Sequence, residues 1–494
     1  MSGWVLLAAL GCTTAGSPPG SKADSATPDP APTLTDTETP TAGTGTSPDT
    51  ASTAPGDTAD TADTGVIPTT PGLTGGCTVP LDAPMAARCS FDVSPPQALA
   101  LTWSTAHHPT VRAVRSEPAA HHEVEVGMLT SDSIWSWSAA GDADPGLALA
   151  GEVTTGNEPD HPNWVLLEGT PVNGFVATTN SCRDAGAWTT VWDTYSGTPA
   201  LAVRVGDAQP ESLQFTDHGT LLTMGADRLW EHSLAGALLA EVPIGYDALG
   251  VTTHHDAATD GEHFYILYNN LVGETFGDTT IADGFLVLDR SGAEVARWFI
   301  GDHVEVPDAP GDWSHANALV LVDDGDALIT FRYLNAVARV RVDPAAPDFG
   351  AVHYWLNGAS APELSDVPSD FVLVGAGGER ETFEWQHDAN LLPDGRLTLF
   401  DNRRTGPALS RVIDIRLDPL RGEAVVEQAW PLDAFCTFQG GARRAASGAR
   451  IATCGSVRKI YGFDPAIPDT HAWTMRVTCA APDGYIPRAV PIDL

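Results

Sequence analysis

Three stretches of this chain repeat one pattern, and an internal repeat constrains a fold more tightly than composition does. The clearest copy is Trp385-Gln386-His387-Asp388-Ala389-Asn390-Leu391-Leu392-Pro393-Asp394-Gly395, running on to Leu399-Phe400-Asp401-Asn402. His315-Ala316-Asn317-Ala318-Leu319 leads likewise to Asp324-Gly325 and Leu328-Ile329-Thr330-Phe331-Arg332. His255-Asp256-Ala257 leads to Asp260-Gly261 and Phe264-Tyr265-Ile266-Leu267. Each copy is a His at a strand start, a short apolar run, an Asp-Gly turn and a second apolar strand. Each closes on a Trp (Trp298, Trp355 or Trp430), at His-to-Trp spacings of 43, 40 and 43 residues. Repeats of this length, made of short strands and Gly turns, predict propeller blades.

Extending the pattern gives six blades. The first is expected through Trp164-Val165-Leu166-Leu167 and Gly174-Phe175-Val176-Ala177, and the second through Leu213-Gln214-Phe215 and Leu221-Leu222-Thr223. The three His copies are the third to fifth. The sixth runs from Gln439-Gly440-Gly441 through Arg450-Ile451-Ala452 to Trp473. A final strand, Ile486–Ile492, is expected to complete or latch the ring. Upstream, Ala98–Ser104, Thr110–Arg115 and His121–Leu129 alternate apolar and polar residues between turns, which predicts a small β-sandwich resembling a fibronectin type III module. The double His at 121–122 falls on a strand edge or turn and reads as structural or solvent-exposed. The fold class expected is all-β: a sandwich over 77–150, then a six-bladed β-propeller over 151–494.

The N-terminal segment differs in kind. Trp4–Gly11 is a short apolar run ending on Cys12, too short to span a membrane, and it resembles a bacterial lipoprotein signal over 1–12 in which Cys12 is lipidated. Residues 13–76 are rich in Thr, Pro, Ser, Asp, Ala and Gly. With almost nothing to bury, they read as a disordered tether. As a coil the tether spans about 45 Å. The expected location is therefore outside the cytoplasm, on the bacterial outer membrane or cell surface. Six cysteines follow Cys12, an even number that suggests disulfides in an exported chain. Cys77–Cys89 and a pair among Cys436, Cys454 and Cys479 are expected. A formal net charge of −38 with only two lysines disfavours nucleic acid and anionic lipid as partners, so membrane contact is expected only through the anchor.

In a propeller the innermost strands run parallel around the central channel, so equivalent positions of successive blades meet at one mouth. His255, His315 and His387 should therefore form an arc around one pocket. Three converging imidazoles would suit zinc, which commonly takes three protein ligands at a catalytic site. Arg332, one strand after His315, points instead to an oxyanion, because a guanidinium repels a dication and binds oxyanions bidentately. No metal and no cofactor are expected.

With these residues in place, the chain from about 157 to 494 resembles the bacterial arylsulfotransferases that do not use a nucleotide sulfate donor. The resemblance is carried by His254-His255-Asp256, Trp313-Ser314-His315-Ala316-Asn317 with Arg332, Gln386-His387-Asp388 with Phe400-Asp401-Asn402, and the closing Tyr485–Ile492 segment. It implies sulfuryl transfer from a phenolic sulfate ester to a phenol acceptor. A homodimer is a separate expectation. The resemblance also implies that His387 is the nucleophile, transiently sulfated on its ring. His255, His315, Asn317 and Arg332 would hold the sulfate and handle protons, with His254 as an alternative to His255 and Asn402 behind His387. Trp313, Trp385 and Phe383 are the aromatic candidates for contact with phenol rings. The competing expectation is a non-catalytic surface propeller that binds a ligand or partner in its channel.

Overall fold

Alternating side chains send successive residues of a strand to opposite faces, and here both faces of most strands are buried. Leu328 faces one apolar cluster while its neighbour Ile329 faces another. A sheet buried on both faces must be sandwiched between others, and the strand pairing shows how. The computed structural model describes residues 71–105, 108–158, 163–181, 186–207, 210–272, 279–308, 310–322, 325–359, 365–403, 409–479 and 485–493. The expectations for Cys12, for most of the 13–76 tether and for Cys182 lie outside these residues.

Six antiparallel sheets of four core strands follow one another along the chain. Their innermost strands are numbered here β1 (Ser212–Phe215), β2 (Thr252–Thr259), β3 (Ala316–Val322), β4 (His387–Leu391), β5 (Gly441–Arg444) and β6 (Ala489–Ile492). Each neighbours the next, and β6 neighbours both β5 and β1, so the ring is closed. An apolar cluster fills each gap between successive sheets all the way round. Trp298, Trp355 and Trp430 each lie buried on the fourth strand of their sheet. The repeat thus reflects one large ring filling the outer part of each gap.

The ring closes differently from the expected arrangement. Asn163–Gly169, which holds Trp164 to Leu167, pairs with Trp473–Cys479 as an extra outer strand of the last sheet. The first sheet takes its inner strand from the C-terminus: β6 pairs with Phe175–Ser181. The terminal segment therefore does complete the ring, and the strand at 163–169 is not part of the first blade.

Ahead of the ring, a three-stranded sheet (Gly72–Thr78, Ala87–Gln97, Ala119–Val126) faces a four-stranded one (Leu99–Thr105, His108–Arg115, Ile134–Gly141, Ala148–Thr154). Both contribute to a single core around Phe91, Trp103, Trp135 and Trp137. These strands begin before residue 77 and end after residue 150. Met128 leaves this region and inserts between the first and second propeller sheets. His121 is exposed between Asp92 and Glu123, and His122 is buried against the Ala119 carbonyl. Disulfides join Cys77 to Cys89 across two paired strands, and Cys436, in the loop before the last sheet, to Cys454 within it.

The inner strands carry polar pins from sheet to sheet. Asp256 on β2 accepts the Leu319 amide of β3 at 2.8 Å and two contacts from Arg488 Nη1 at 2.9 and 3.0 Å. Asp388 on β4 accepts the Ala442 amide of β5 at 2.9 Å and is paired with Arg443 and Arg488. Asp256, Asp388 and Arg488 are buried, and Arg443 is largely so. Burial opposes ionisation of Asp388, but Arg443 and Arg488 overcome it and hold its carboxyl below the usual range. Removing one member of such a network strands the opposite charge in a site without water, which costs about 3–5 kcal/mol. Arg488→Ala should lower the unfolding free energy by about that much, read from urea denaturation, while Arg228→Ala, at an exposed ion pair, should cost about 1 kcal/mol or less.

Candidate active site

The three repeat histidines reach one mouth of the channel because the backbone is bent there. His255 and His315 have φ of 61° and 49°, and Trp385 and Asp388, on either side of Gln386-His387, have φ of 56° and 53°. Each inner strand is bulged at this point, with the pairing register shifting between Thr253 and Ala257, Ala316 and Ala318, and His387 and Asn390. A bulge re-aims a side chain, and a non-Gly residue in the left-handed region costs about 1–2 kcal/mol. Glycine would relieve that cost, but it has no imidazole to aim.

His387 is buried, and its Nδ1 lies 2.8 Å from both the Asn402 Oδ1 and the Trp385 carbonyl. Both partners are acceptors, so Nδ1 carries the proton and Nε2 keeps its lone pair. The orientation of Asn402 is itself fixed: its Nδ2 donates to the carbonyls of Cys436 (2.8 Å) and Gln439 (3.0 Å). The Cys436–Cys454 disulfide thereby anchors the loop that sets the His387 tautomer. Burial, together with the nearby Arg332 charge, pulls the His387 pKa down to about 3. His387 is therefore a neutral, one-sided base at any ordinary pH.

Arg332 begins the turn after the second strand of the β3 sheet, and its backbone N–H donates to the His315 carbonyl at 2.9 Å. Its guanidinium lies over the Trp385 ring at 4.3 Å and the Tyr333 ring at 5.1 Å, and Nη2 donates to the Thr437 carbonyl at 3.2 Å. The aromatic faces hold the planar cation by cation–π attraction. His315 is hydrogen-bonded through Nδ1 to Asp312, which leaves its Nε2 toward the site. The rings of His255 and His315 meet edge to face at 4.8 Å.

His254 and His255 are neighbours with linked rings: their Nδ1 atoms are 3.1 Å apart. On its other side His254 Nε2 lies 2.9 Å from Asp283. Burial, then the neighbouring His315, His254 and the Arg332 charge, hold His255 well below the ordinary histidine range. Burial also opposes a charge on His254, but Asp283 reverses the balance and raises its pKa. The backbone N–H of His255 donates to Glu211 at 2.6 Å.

The structure thus brings together His254, His255, His315, His387 and Arg332. Asn317 is buried beneath them, its Nδ2 donating to the Gln386 carbonyl at 2.9 Å and its Oδ1 accepting from Thr330. Of the aromatic candidates, Trp385 faces Arg332, Trp313 hydrogen-bonds Asp366, and Phe383 lies fully buried in the core between the β3 and β4 sheets. Phe383 is a packing residue and does not meet substrate. Sequence reasoning missed Asp283, Asp312, Glu211 and Tyr333. Asp312 stands three residues before His315 and was within reach; Asp283 and Glu211 come from other strands and have no local signal.

At the far end of the same strands lies a cavity of about 550 Å³ whose lining includes Asp217, His218, Asp260, Glu262, His263 and Asp343.

Residues 187–410 match the family model described as Arylsulfotransferase (ASST). Over that stretch the chain is similar to the arylsulfotransferase family. The matched segment holds every site residue above. The match supports arylsulfotransferase activity in general, for which the family implies an aryl sulfate donor and a phenol acceptor. A comparison with curated proteins finds no match. Among solved structures the chain is similar to a Bacteroides caccae protein of unknown function (8% identity, TM-score 0.41, 65% of this chain and 99% of that one). It is also similar to a selenomethionine-substituted virginiamycin B lyase from Staphylococcus aureus (9%, 0.36, 64% and 99%) and to the Cps50 (Swd1) β-propeller domain of Myceliophteria thermophila (12%, 0.37, 63% and 86%). The ring itself is established by strand pairing.

In protein labelled with 15N-histidine, His387 should show the Nδ1–H tautomer and no titration from pH 8 down to about 4. Asn402→Leu removes one of the two Nδ1 acceptors and should bring a mixture of tautomers, visible in the same spectra.

Proposed function

We propose that this chain transfers a sulfuryl group between phenols through a covalent sulfo-histidine at His387. The observation that carries the reading is the state of that ring: buried, neutral, proton on Nδ1, and a free Nε2 beside a guanidinium. A neutral imidazole attacks sulfur without first losing a proton, and a covalent intermediate divides one difficult displacement into two easier ones. Nε2 forms the N–S bond as the ester S–O bond breaks and the first phenol departs. The second phenol then breaks the N–S bond and restores the ring.

Arg332 meets the non-bridging sulfate oxygens, where charge moves as the bonds loosen. Preorganised positive charge in a site away from water acts strongly there, by the same logic as in phosphoryl transfer. His315, backed by Asp312, presents its Nε2 to the same oxygens. His255 faces the ester oxygen, where a phenol must gain or lose a proton. Asn317 holds Gln386, and Asn402 holds the His387 tautomer. Tyr333 and Trp385 border the site and suit the flat face of an aryl group.

The two disulfides support an oxidising compartment, in keeping with an exported enzyme tethered through a lipid on Cys12. Palmitate labelling that disappears in Cys12→Ser would test the tether.

Incubation with an aryl sulfate should add one sulfuryl group to His387, seen by mass spectrometry of the His387 peptide, and later addition of a phenol should discharge it. His387→Ala should abolish both adduct and transfer, and undiminished transfer by that variant would end the assignment. Arg332→Lys keeps the charge but loses the planar fork. It should lower kcat/KM by about 10²–10³-fold, comparable with losing one oxyanion-hole donor. A channel that only binds a ligand would show no adduct in the intact protein.

A further inference from the structure

His255 stands where a phenol oxygen must exchange a proton, yet it is a poor place to keep one. His315, His387 and Arg332 surround it, and together with burial they disfavour an imidazolium there. A simple general base would have to become that imidazolium midway through every turnover. The side chain beside it offers another route.

Asp283 is buried and rigidly held. Ser314 Oγ and the Ala316 backbone N–H (2.7 Å) donate to its Oδ2, and Asn269 Nδ2 donates to its Oδ1 at 2.8 Å. His254 Nε2 lies 2.9 Å from that same Oδ1. His254 Nδ1 in turn lies 3.1 Å from His255 Nδ1. The order is carboxylate, ring, ring, with the last ring's Nε2 toward the site. Adjacent residues of a regular strand point to opposite faces. Here the left-handed turn at His255, whose φ is 61°, turns the two imidazoles toward each other.

We propose that Asp283, His254 and His255 form a proton relay for the phenol oxygen, in which His255 only changes tautomer while the exchanged positive charge resides on His254. This rests on the reading of the site as one of sulfuryl transfer. When the first phenolate leaves, His255 Nε2–H gives it a proton. At the same time His254, doubly protonated, passes its Nδ1 proton to His255 Nδ1. The phenol departs neutral, His255 ends as the Nδ1–H tautomer, and His254 ends neutral with Nε2–H on Asp283. The acceptor phenol reverses each step: its proton goes to His255 Nε2, and the His255 Nδ1 proton returns to His254 Nδ1. The two half-reactions balance, and Asp283 stays a carboxylate throughout.

The surroundings fit this direction of charge. Asp283, Glu211 and Asp312 face His254 and favour a proton on it, while His315, His387 and Arg332 face His255 and disfavour one. His254 thus acts through His255 and has no need to touch substrate. That differs from a role as an interchangeable sulfate ligand.

The test is His254→Asn, whose amide can reach the Nδ1 position and keep a hydrogen bond to His255 but cannot carry the proton. The rate of His387 adduct formation is measured from nitrophenyl sulfate and from phenyl sulfate. A nitrophenolate leaves readily without a proton, whereas a phenolate needs one. His254→Asn should slow the nitrophenyl reaction by about threefold and the phenyl reaction by about 100-fold, the lower range for loss of a positioned acid. Asp283→Asn should steepen the dependence on leaving-group pKa in the same sense. The nitrophenyl adduct reports that the variant has folded. Equal losses with both esters, or no loss with either, would overturn the relay and leave the His387 intermediate standing. A wild-type protein that forms no adduct with either ester would overturn the sulfuryl-transfer reading and the relay with it.

Discussion

Arg488 is the point on which the architecture turns. Its guanidinium reaches Asp256 on one inner strand and Asp388 on another, two sheets away, and it sits immediately before the strand that closes the ring. A buried charge is stable only when paired and hydrogen-bonded. The two aspartates and the two arginines therefore fix one arrangement of the inner strands. Asp256 follows His255 and Asp388 follows His387. The residues that hold the ring together are thus the backbone neighbours of two of the clustered histidines, and any shift in the network moves two imidazoles at once.

The same coupling explains the unusual backbone at the site. Left-handed φ at His255, His315, Trp385 and Asp388 would relax if the strands were free to straighten. They are not free, because the amides of Leu319 and Ala442 are bonded to Asp256 and Asp388 across the sheet boundary. Strain at the mouth is balanced by paired charge just below it. The inner strands thus carry two conflicting demands, aiming a ring into the channel and pairing in a ladder, and the bulge satisfies both.

Much of this was legible in the residues. The His-to-Trp spacing exposed the sheets of the three repeat copies, because each copy repeats the same burial problem: short inner strands at the axis and a large ring at the rim. The convergence of His255, His315 and His387 followed from that repetition, and Arg332 lies beside them as its place in the repeat suggested. What was not legible depends on residues far apart in sequence. The placement of Asn163–Gly169 in the last sheet and of the C-terminal strand in the first follows from ring closure, which no local pattern encodes. The pairing of His254 with Asp283 needs the third strand of the same sheet. His254 itself was read as a substitute for its neighbour because strand alternation was assumed, and the bulge removes that alternation. Asn317 and Asn402 were visible as polar residues near the histidines, but their partners are carbonyls and hydroxyls whose positions only the fold supplies.

The closure of the ring by β6 sets an order in time. Residues 175–204 leave the ribosome early and can form the outer three strands of the first sheet, but their inner edge stays open until residues 489–492 arrive. Arg488 arrives with them, so Asp256 lacks that partner until then. A chain shortened by its last few residues would keep every histidine and still lack the geometry that makes them a site. The strand at 489–492 therefore ties assembly of the pocket to closure of the ring.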